Sequence, residues 1–144
     1  KDNISPNEMS NILNKKSGLL GITSKTNDLR SVHELVEEGD KRAELALKMY
    51  SYIIKKFIGQ YFFALGKVDA IVMTAGVGEN DENIRAMGFE GLENFGLVLD
   101  KEVNEKTHGD TAVISKPESK VKILVIPTNE ELAIARDVQK LVEK

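Results

Sequence analysis

Three short stretches combine residue types that can hold a charged ligand. The first is Gly76-Val77-Gly78-Glu79-Asn80, which follows the apolar run Ala70-Ile71-Val72-Met73. A strand that ends in Gly-x-Gly and passes into a helix delivers backbone N–H groups to one point. Gly76 and Gly78 permit positive φ and leave no Cβ in the way of a ligand. A helix start beyond Asn80 adds unpaired N–H groups and a partial positive charge, which suits a phosphate. The spacing is not Gly-x-Gly-x-x-Gly, because Asp81 stands where the third glycine would be, and it is not a phosphate loop ending Gly-Lys-Ser/Thr. A tight strand-to-helix turn accounts for the same residues without a ligand. Glu79 disfavours a phosphate unless it faces away or helps to arrange a metal or a base.

The second stretch is Pro127-Thr128-Asn129-Glu130-Glu131. Thr128 and Glu131 have the spacing of a capping box, which gives Glu131 a structural duty. Glu130 is left at a helix start beside a strand end, where its carboxylate could reach Mg²⁺ held by nucleotide phosphates. A surface acid favoured by the helix dipole is the alternative. The third is Asp28-Leu29-Arg30 at a helix entrance. Arg30 could stack on an adenine face and Asp28 could accept from ribose or ring donors. A helix cap with a surface ion pair explains the same two residues. His33 and His108 have no second ligand at metal-binding spacing and read as ordinary surface residues.

The elements that would carry these stretches follow from periodicity and caps. Ser5-Pro6-Asn7-Glu8 opens a short helix ending near Asn14-Lys15. Residues 16–28 are rich in Gly, Ser and Thr and read as an ordered loop. Asp28 or Ser31 starts a helix closed by Gly39. Asp40 caps a long helix whose apolar positions run from Ala43 to Leu65 at three-and-four spacing, the pattern of a central packing element. Asp69–Thr74 shows little alternation and reads as a strand covered on both faces. A helix is expected over 81–95, weakened by Gly88 and Gly91 at roughly 1 kcal/mol each. Leu97–Leu99 is a candidate short strand, 100–110 a polar excursion, Thr111–Ser115 and Val121–Ile126 strands, and a last helix starts at Thr128. The order implies an α/β arrangement with at least two parallel neighbouring strands.

The chain has 144 residues, 41% hydrophobic and 30% charged, which is enough for one domain with a core. A net charge of -3 argues against nucleic acid or an anionic membrane as main partner. No apolar run approaches the about 20 residues of a membrane span. Cysteine is absent, which excludes disulfides and thiol catalysis and is compatible with the cytoplasm. The chain opens Lys1-Asp2-Asn3 without Met, and so much helix around so few strands suggests a piece of a longer protein that lacks other strands of its sheet.

Taken together, "SGLLGIT…NDLR", "DAIVMTAGVGEN" with its Ile-Arg helix and "EGLENFGLVLD", and "VKILVIPTNEELAIARD" resemble the C-terminal part of the acetate kinase family, in order from about Lys15 to Asp137. The resemblance implies a ribonuclease-H-like domain of the actin and hexokinase type, incomplete here, as the C-terminal nucleotide-binding portion of a two-domain acyl kinase spanning residues 1–144. It implies reversible transfer of the ATP γ-phosphoryl group to acetate, giving ADP and acetyl phosphate, with Mg²⁺, in a cytoplasmic homodimer. By the same resemblance Asp28, Leu29, Arg30, Gly76, Val77, Gly78, Glu79 and Asn80 contact the nucleotide, and Glu130 is the metal-associated acid. The family's catalytic groups and acetate pocket match nothing in these residues, so no catalytic residue is assigned and the chain alone is expected to be inactive. Asp81 departs from the family's usual Ser and puts the cap of the following helix in doubt. Propionate or butyrate kinase of the same family, a non-catalytic nucleotide-binding module, and a dinucleotide-dependent enzyme are the rival readings. The last is disfavoured by the incomplete glycine pattern lying behind three helices.

Overall fold

A computed structural model describes residues 4–143 of the chain. The expectation about Lys1-Asp2-Asn3 therefore lies outside the described residues. The chain divides into two compact units, Lys1–Phe57 and Ile58–Lys144.

The first unit is helical. Helix α1 (Pro6–Lys15) opens on the expected capping box: Glu8 N–H donates to Ser5 Oγ at 3.2 Å, and Ser5 N–H donates to the Glu8 carboxylate at 3.0 Å. Two otherwise unpaired donors are thereby satisfied. The stretch expected as loop contains a short helix, α2 (Gly18–Thr23), closed by Thr23 Oγ1 donating to the Thr26 carbonyl at 2.9 Å. Asp28 caps α3 (Leu29–Glu37), and α4 runs Lys41–Leu65. Asp40 Oδ1 accepts from the N–H groups of Arg42 and Ala43 at 2.8 and 3.1 Å, while Lys25 Nζ lies 2.7 Å from Oδ2. Val32, Ala43 and Ala46 are fully buried.

Helix α4 meets the expectation of a packing element in part, with Ile58 and Phe62 packed against the core cluster that includes Ile123 and Val125. Of its long apolar stripe, Ala43, Ala46 and Leu47 are buried. Ile53, Phe57, Tyr61 and Leu65 are more than half exposed, at 51%, 54%, 58% and 68%. The periodicity is real, but the described residues cover only part of so wide a face.

The second unit holds a mixed sheet of order β1-β3-β2, from β1 (Ala70–Met73), β2 (Ala112–Val113) and β3 (Lys122–Val125). β1 and β3 are parallel, as the element order implied, and β2 is antiparallel to β3. β3 is central, with Ile123 and Val125 fully buried, and packs with Phe89, Leu97, Ile114 and Val121. Burial of each such side chain contributes about 1.5–3 kcal/mol. β1 lies at the edge and Val72 is 46% exposed, so the strand is not covered on both faces.

The remaining elements are α5 (Ala75–Asn80), α6 (Glu82–Phe89), one 3-10 turn (Glu93–Phe95), α7 (Lys101–Lys106) and α8 (Glu130–Val142). The helix expected over 81–95 breaks after Phe89, where Gly91 takes a φ of +76°. Residues 97–99 contribute a lone bridge, Leu99 opposite Ser115, and no strand. The polar excursion contains α7, capped by Asp100, whose Oδ1 accepts from Val103 N–H at 3.2 Å.

The α4 cap makes a pH prediction. Asp40 is held below its ordinary value of 3.8, at about 2, chiefly by the Lys25 ammonium bond and then by the Ala43 N–H. A depressed carboxyl pKa contributes stability that is fully present above 3.8 and lost as the pH falls through about 2. Asp40→Ala should melt below the wild type at about pH 6, and the gap should close as the pH falls toward the folded-state value. Thermal melts followed by circular dichroism check this; a gap constant down to acid pH would sink it.

Candidate functional site

The parallel pair sets the geometry. Met73 lies opposite Val125, and Ile126 N–H donates to the Met73 carbonyl at 3.0 Å. Both strands therefore leave the sheet at the same carboxyl edge, where open α/β sheets receive ligands.

From β1 the chain turns through Thr74 and Ala75 directly into α5, so the Gly-x-Gly stretch is a short helix and not an open turn. The left-handed residue is Ala75, at φ +59°. Neither Gly76 nor Gly78 has positive φ, which corrects the reason expected for the two glycines. A left-handed alanine costs roughly 1–2 kcal/mol. Gly78 is needed for a different reason: it is buried, and a Cβ there would fall 2.9 Å from the carbonyl carbon of Met73. Helix α5 thus lies directly on the end of β1. A Cβ at Gly76 would meet nothing within 4 Å. Val77 is half-buried and Asn80 exposed, with its Nδ2 donating to the Gly76 carbonyl at 3.2 Å.

Glu79 joins the two strand exits. Its Oε1 accepts from Thr128 N–H at 2.8 Å and from Thr128 Oγ1 at 3.0 Å. The Thr128 N–H bond, chiefly, holds the Glu79 carboxyl below its ordinary range, with a smaller contribution from the hydroxyl. Glu79 is therefore a carboxylate at neutral pH, engaged with Thr128.

That engagement alters the start of α8. The cap is Asn129, whose Oδ1 accepts from Leu132 N–H at 2.9 Å, and not Thr128. Thr128 gives Glu79 its backbone N–H, the group that Glu131 would accept from in a capping box, and the expected Thr128–Glu131 box does not form. The inference that set Glu131 aside as structural loses its basis, since Glu130 and Glu131 both stand in the first turn. Glu130 is exposed, and its side chain makes no hydrogen bond or ion pair among the described residues. No group of three or more His, Cys, Asp or Glu among the described residues could hold a metal ion. A lone exposed carboxylate fits Mg²⁺ that arrives with phosphate and water ligands, but not a cation caged by protein alone.

Asp81, the departure from the family pattern, has a plain structural role. Its Oδ1 accepts from Ile84 N–H at 2.9 Å and caps α6.

Asp28, Leu29 and Arg30 belong to the first unit and the other candidate residues to the second. Asp28 Oδ1 accepts from the Arg30 N–H at 2.9 Å. Arg30 Nε and Nη2 close a fork on the same carboxylate at 3.3 and 2.9 Å. The Arg30 side chain is 89% exposed. Cap and ion pair are thus both formed, and they orient a planar guanidinium toward solvent. Leu29 is half-buried.

Sequence reasoning passed over Arg85, Asn104 and Asn129. Arg85 is fully buried and donates to the Gly78 carbonyl at 3.0 Å. A charge set among Ile84, Ala86, Met87 and Phe89 is the signal that points to it.

The glycines give a test. Gly78→Ala should cost on the order of 1–3 kcal/mol, because backbone must move to admit the methyl group. Gly76→Ala should gain about 0.5–1 kcal/mol in the same urea titration, since helix propensity improves and nothing clashes. Equal midpoints for the two variants would contradict the close approach of α5 to β1.

A family model for the acetokinase family matches residues 1–136. An acetate kinase of Dictyoglomus turgidum is 51% identical over 142 residues, covering 99% of this chain and 35% of its own length. The crystal structure of Porphyromonas gingivalis acetate kinase superposes with a TM-score of 0.89 at 44% identity, covering 96% of this chain and 35% of that one. A propionate kinase from Francisella tularensis gives 0.81 at 43% identity, with 91% and 33% covered. The chain spans about a third of the length of these relatives. On the extent and identity of these matches, the chain belongs to the acetokinase family.

Proposed function

We propose that residues 1–144 are the C-terminal nucleotide-binding portion of a two-domain acyl kinase with a ribonuclease-H-like fold. The reaction is reversible transfer of the γ-phosphoryl group of ATP to acetate, giving ADP and acetyl phosphate. The observation that carries this reading is the Glu79–Thr128 bridge, which ties together the segments that leave two parallel strands at one edge of the sheet. Phosphoryl transfer rests on positioning and charge neutralisation, so a rigid edge of this kind is what a nucleotide site requires.

The likeness to the family assigns the proposed roles, and the local geometry of each residue is compatible with them. Gly76, Val77, Gly78, Glu79 and Asn80 lie against the nucleotide along α5. Gly78 keeps the helix close to β1, and Glu79 fixes the Thr128 corner. Arg30, held by the Asp28 carboxylate, offers a guanidinium face on which an adenine can stack, with Leu29 beside it in the chain. Glu130 is the residue that would hold Mg²⁺ arriving with phosphate, and the ion would supply charge neutralisation there. No side chain in these residues serves as base, nucleophile or γ-phosphate clamp. The chain alone therefore binds nucleotide without turning it over. A cytoplasmic homodimer is proposed for the whole enzyme, with exposed apolar residues of α4 as material for subunit contacts. A propionate-directed variant of the same chemistry is the second reading, favoured by the fit to the propionate kinase.

Calorimetric titration tests the proposal. Mg²⁺–ADP should bind the chain with one site and a Kd below about 1 mM, Arg30→Ala should weaken it roughly tenfold, and NADH should give no heat. A coupled assay with ATP and acetate should show no turnover. NADH binding, or silence with ADP, would overturn the nucleotide assignment, and steady turnover would overturn the division of labour.

A further inference from the structure

Arg85 is a cation with no solvent exposure and, among the described residues, no carboxylate hydrogen-bonded to it. Its four hydrogen bonds all end on neutral oxygens. Nε donates to Asn104 Oδ1 at 2.7 Å, and Nη1 donates to the Gly78 carbonyl at 3.0 Å. Nη2 donates to the carbonyls of Asn104 and Thr107 at 2.8 and 2.7 Å. Burial pulls its pKa down, and Glu82 and Asp81 oppose that pull through space. Burying such a charge is expensive, and packed apolar residues of the same volume often serve stability as well. The arrangement is explained by what the fork holds.

What it holds is the carboxyl end of α5. A six-residue helix leaves its last carbonyls without partners inside the helix. Here the Gly78 carbonyl is taken by Arg85, and the Glu79 carbonyl by Gly109 N–H at 3.1 Å. Because a peptide is planar, fixing the Gly78 and Glu79 carbonyls also fixes the N–H groups of Glu79 and Asn80. A cation at a helix carboxyl end is favoured by the helix dipole as well. The same fork grips Thr107, two residues before Gly109, and Asn104 Nδ2 donates onward to the Glu82 carbonyl at 2.9 Å. One side chain thus ties α5, α6, α7 and the 107–109 segment together.

We propose that Arg85 is a positioning residue for the nucleotide: its buried guanidinium, through Gly78 and Thr107, holds α5 in its ligand-ready geometry. The inference rests on the reading that residues 76–80 contact nucleotide. A lysine would keep the charge but lose the planar fork.

The test compares the wild-type chain with Arg85→Lys and Arg85→Met by NMR amide exchange and by calorimetry with Mg²⁺–ADP. The Gly109 amide should exchange at least about tenfold faster in both variants, while the Ile114 amide, bonded to the Ile123 carbonyl in the sheet, keeps its protection. The Kd for ADP should rise about tenfold. Should either variant fail to fold, Asn104→Ala, which frees Arg85 Nε, should show the same selective loss at Gly109. Unchanged protection and unchanged affinity would overturn the proposal. So would equal loss at Gly109 and Ile114, which marks Arg85 as a residue of general stability only. A wild-type chain blind to ADP would overturn the nucleotide half, while exchange at Gly109 would still decide whether Arg85 clamps α5.

Discussion

The carboxylate of Glu79 on Thr128 is the constraint from which the site follows. The partners are 49 residues apart in sequence, and the bond is possible only because β1 and β3 run parallel and in register. Parallel pairing alone brings two strand ends to one edge. It does not fix the segments that leave them. Glu79 does so by accepting from both the N–H and the hydroxyl of Thr128, and a charged acceptor makes such bonds about twice as strong as neutral ones. Two consequences spread from this bond. The Thr128 N–H is taken from the expected capping box, and α8 is capped one residue later by Asn129. The acid is engaged in a structural bond that also favours its charged form.

Much of the frame was legible in the sequence, and the reasons are local. Ser5 with Glu8, Asp28 and Asp40 are caps that act on N–H groups two or three residues away, so short patterns reveal them. The parallel β1–β3 pair was legible because two apolar runs separated by helix have few other ways to meet. The candidate site rests chiefly on likeness to a family, since each motif alone also describes an ordinary turn or cap.

What escaped the sequence depended on distant contacts. The glycine motif was read as a turn because Gly permits positive φ, yet Ala75 takes the left-handed value and Gly78 answers to the Met73 backbone. No local pattern reports that close approach. The capping box at Thr128 matched its template and was defeated by a competing acceptor 49 residues upstream. Helix α7 was hidden by its polarity, because its anchor is Asn104 on Arg85 and not an apolar stripe. The face of α4 was read as core because periodicity measures which residues align, not what lies opposite them.

The last helix shows how a site residue can be fixed on an otherwise unanchored element. None of the residues of α8 is buried, and Ile134, Leu141 and Val142 are 64%, 72% and 79% exposed. A helix of 13 residues without tertiary packing is marginal in water. Fraying, however, is not uniform along it. The first turn is held by the Asn129 cap on Leu132 and by the Thr128 bond to Glu79, both upstream of the exposed stripe. Glu130 sits between those two anchors. Its backbone position is therefore set by the sheet edge through Thr128, even where the distal turns of α8 are loosely held. The carboxylate proposed to meet a phosphate-bound cation thus has its backbone held by the same bond that aligns α5.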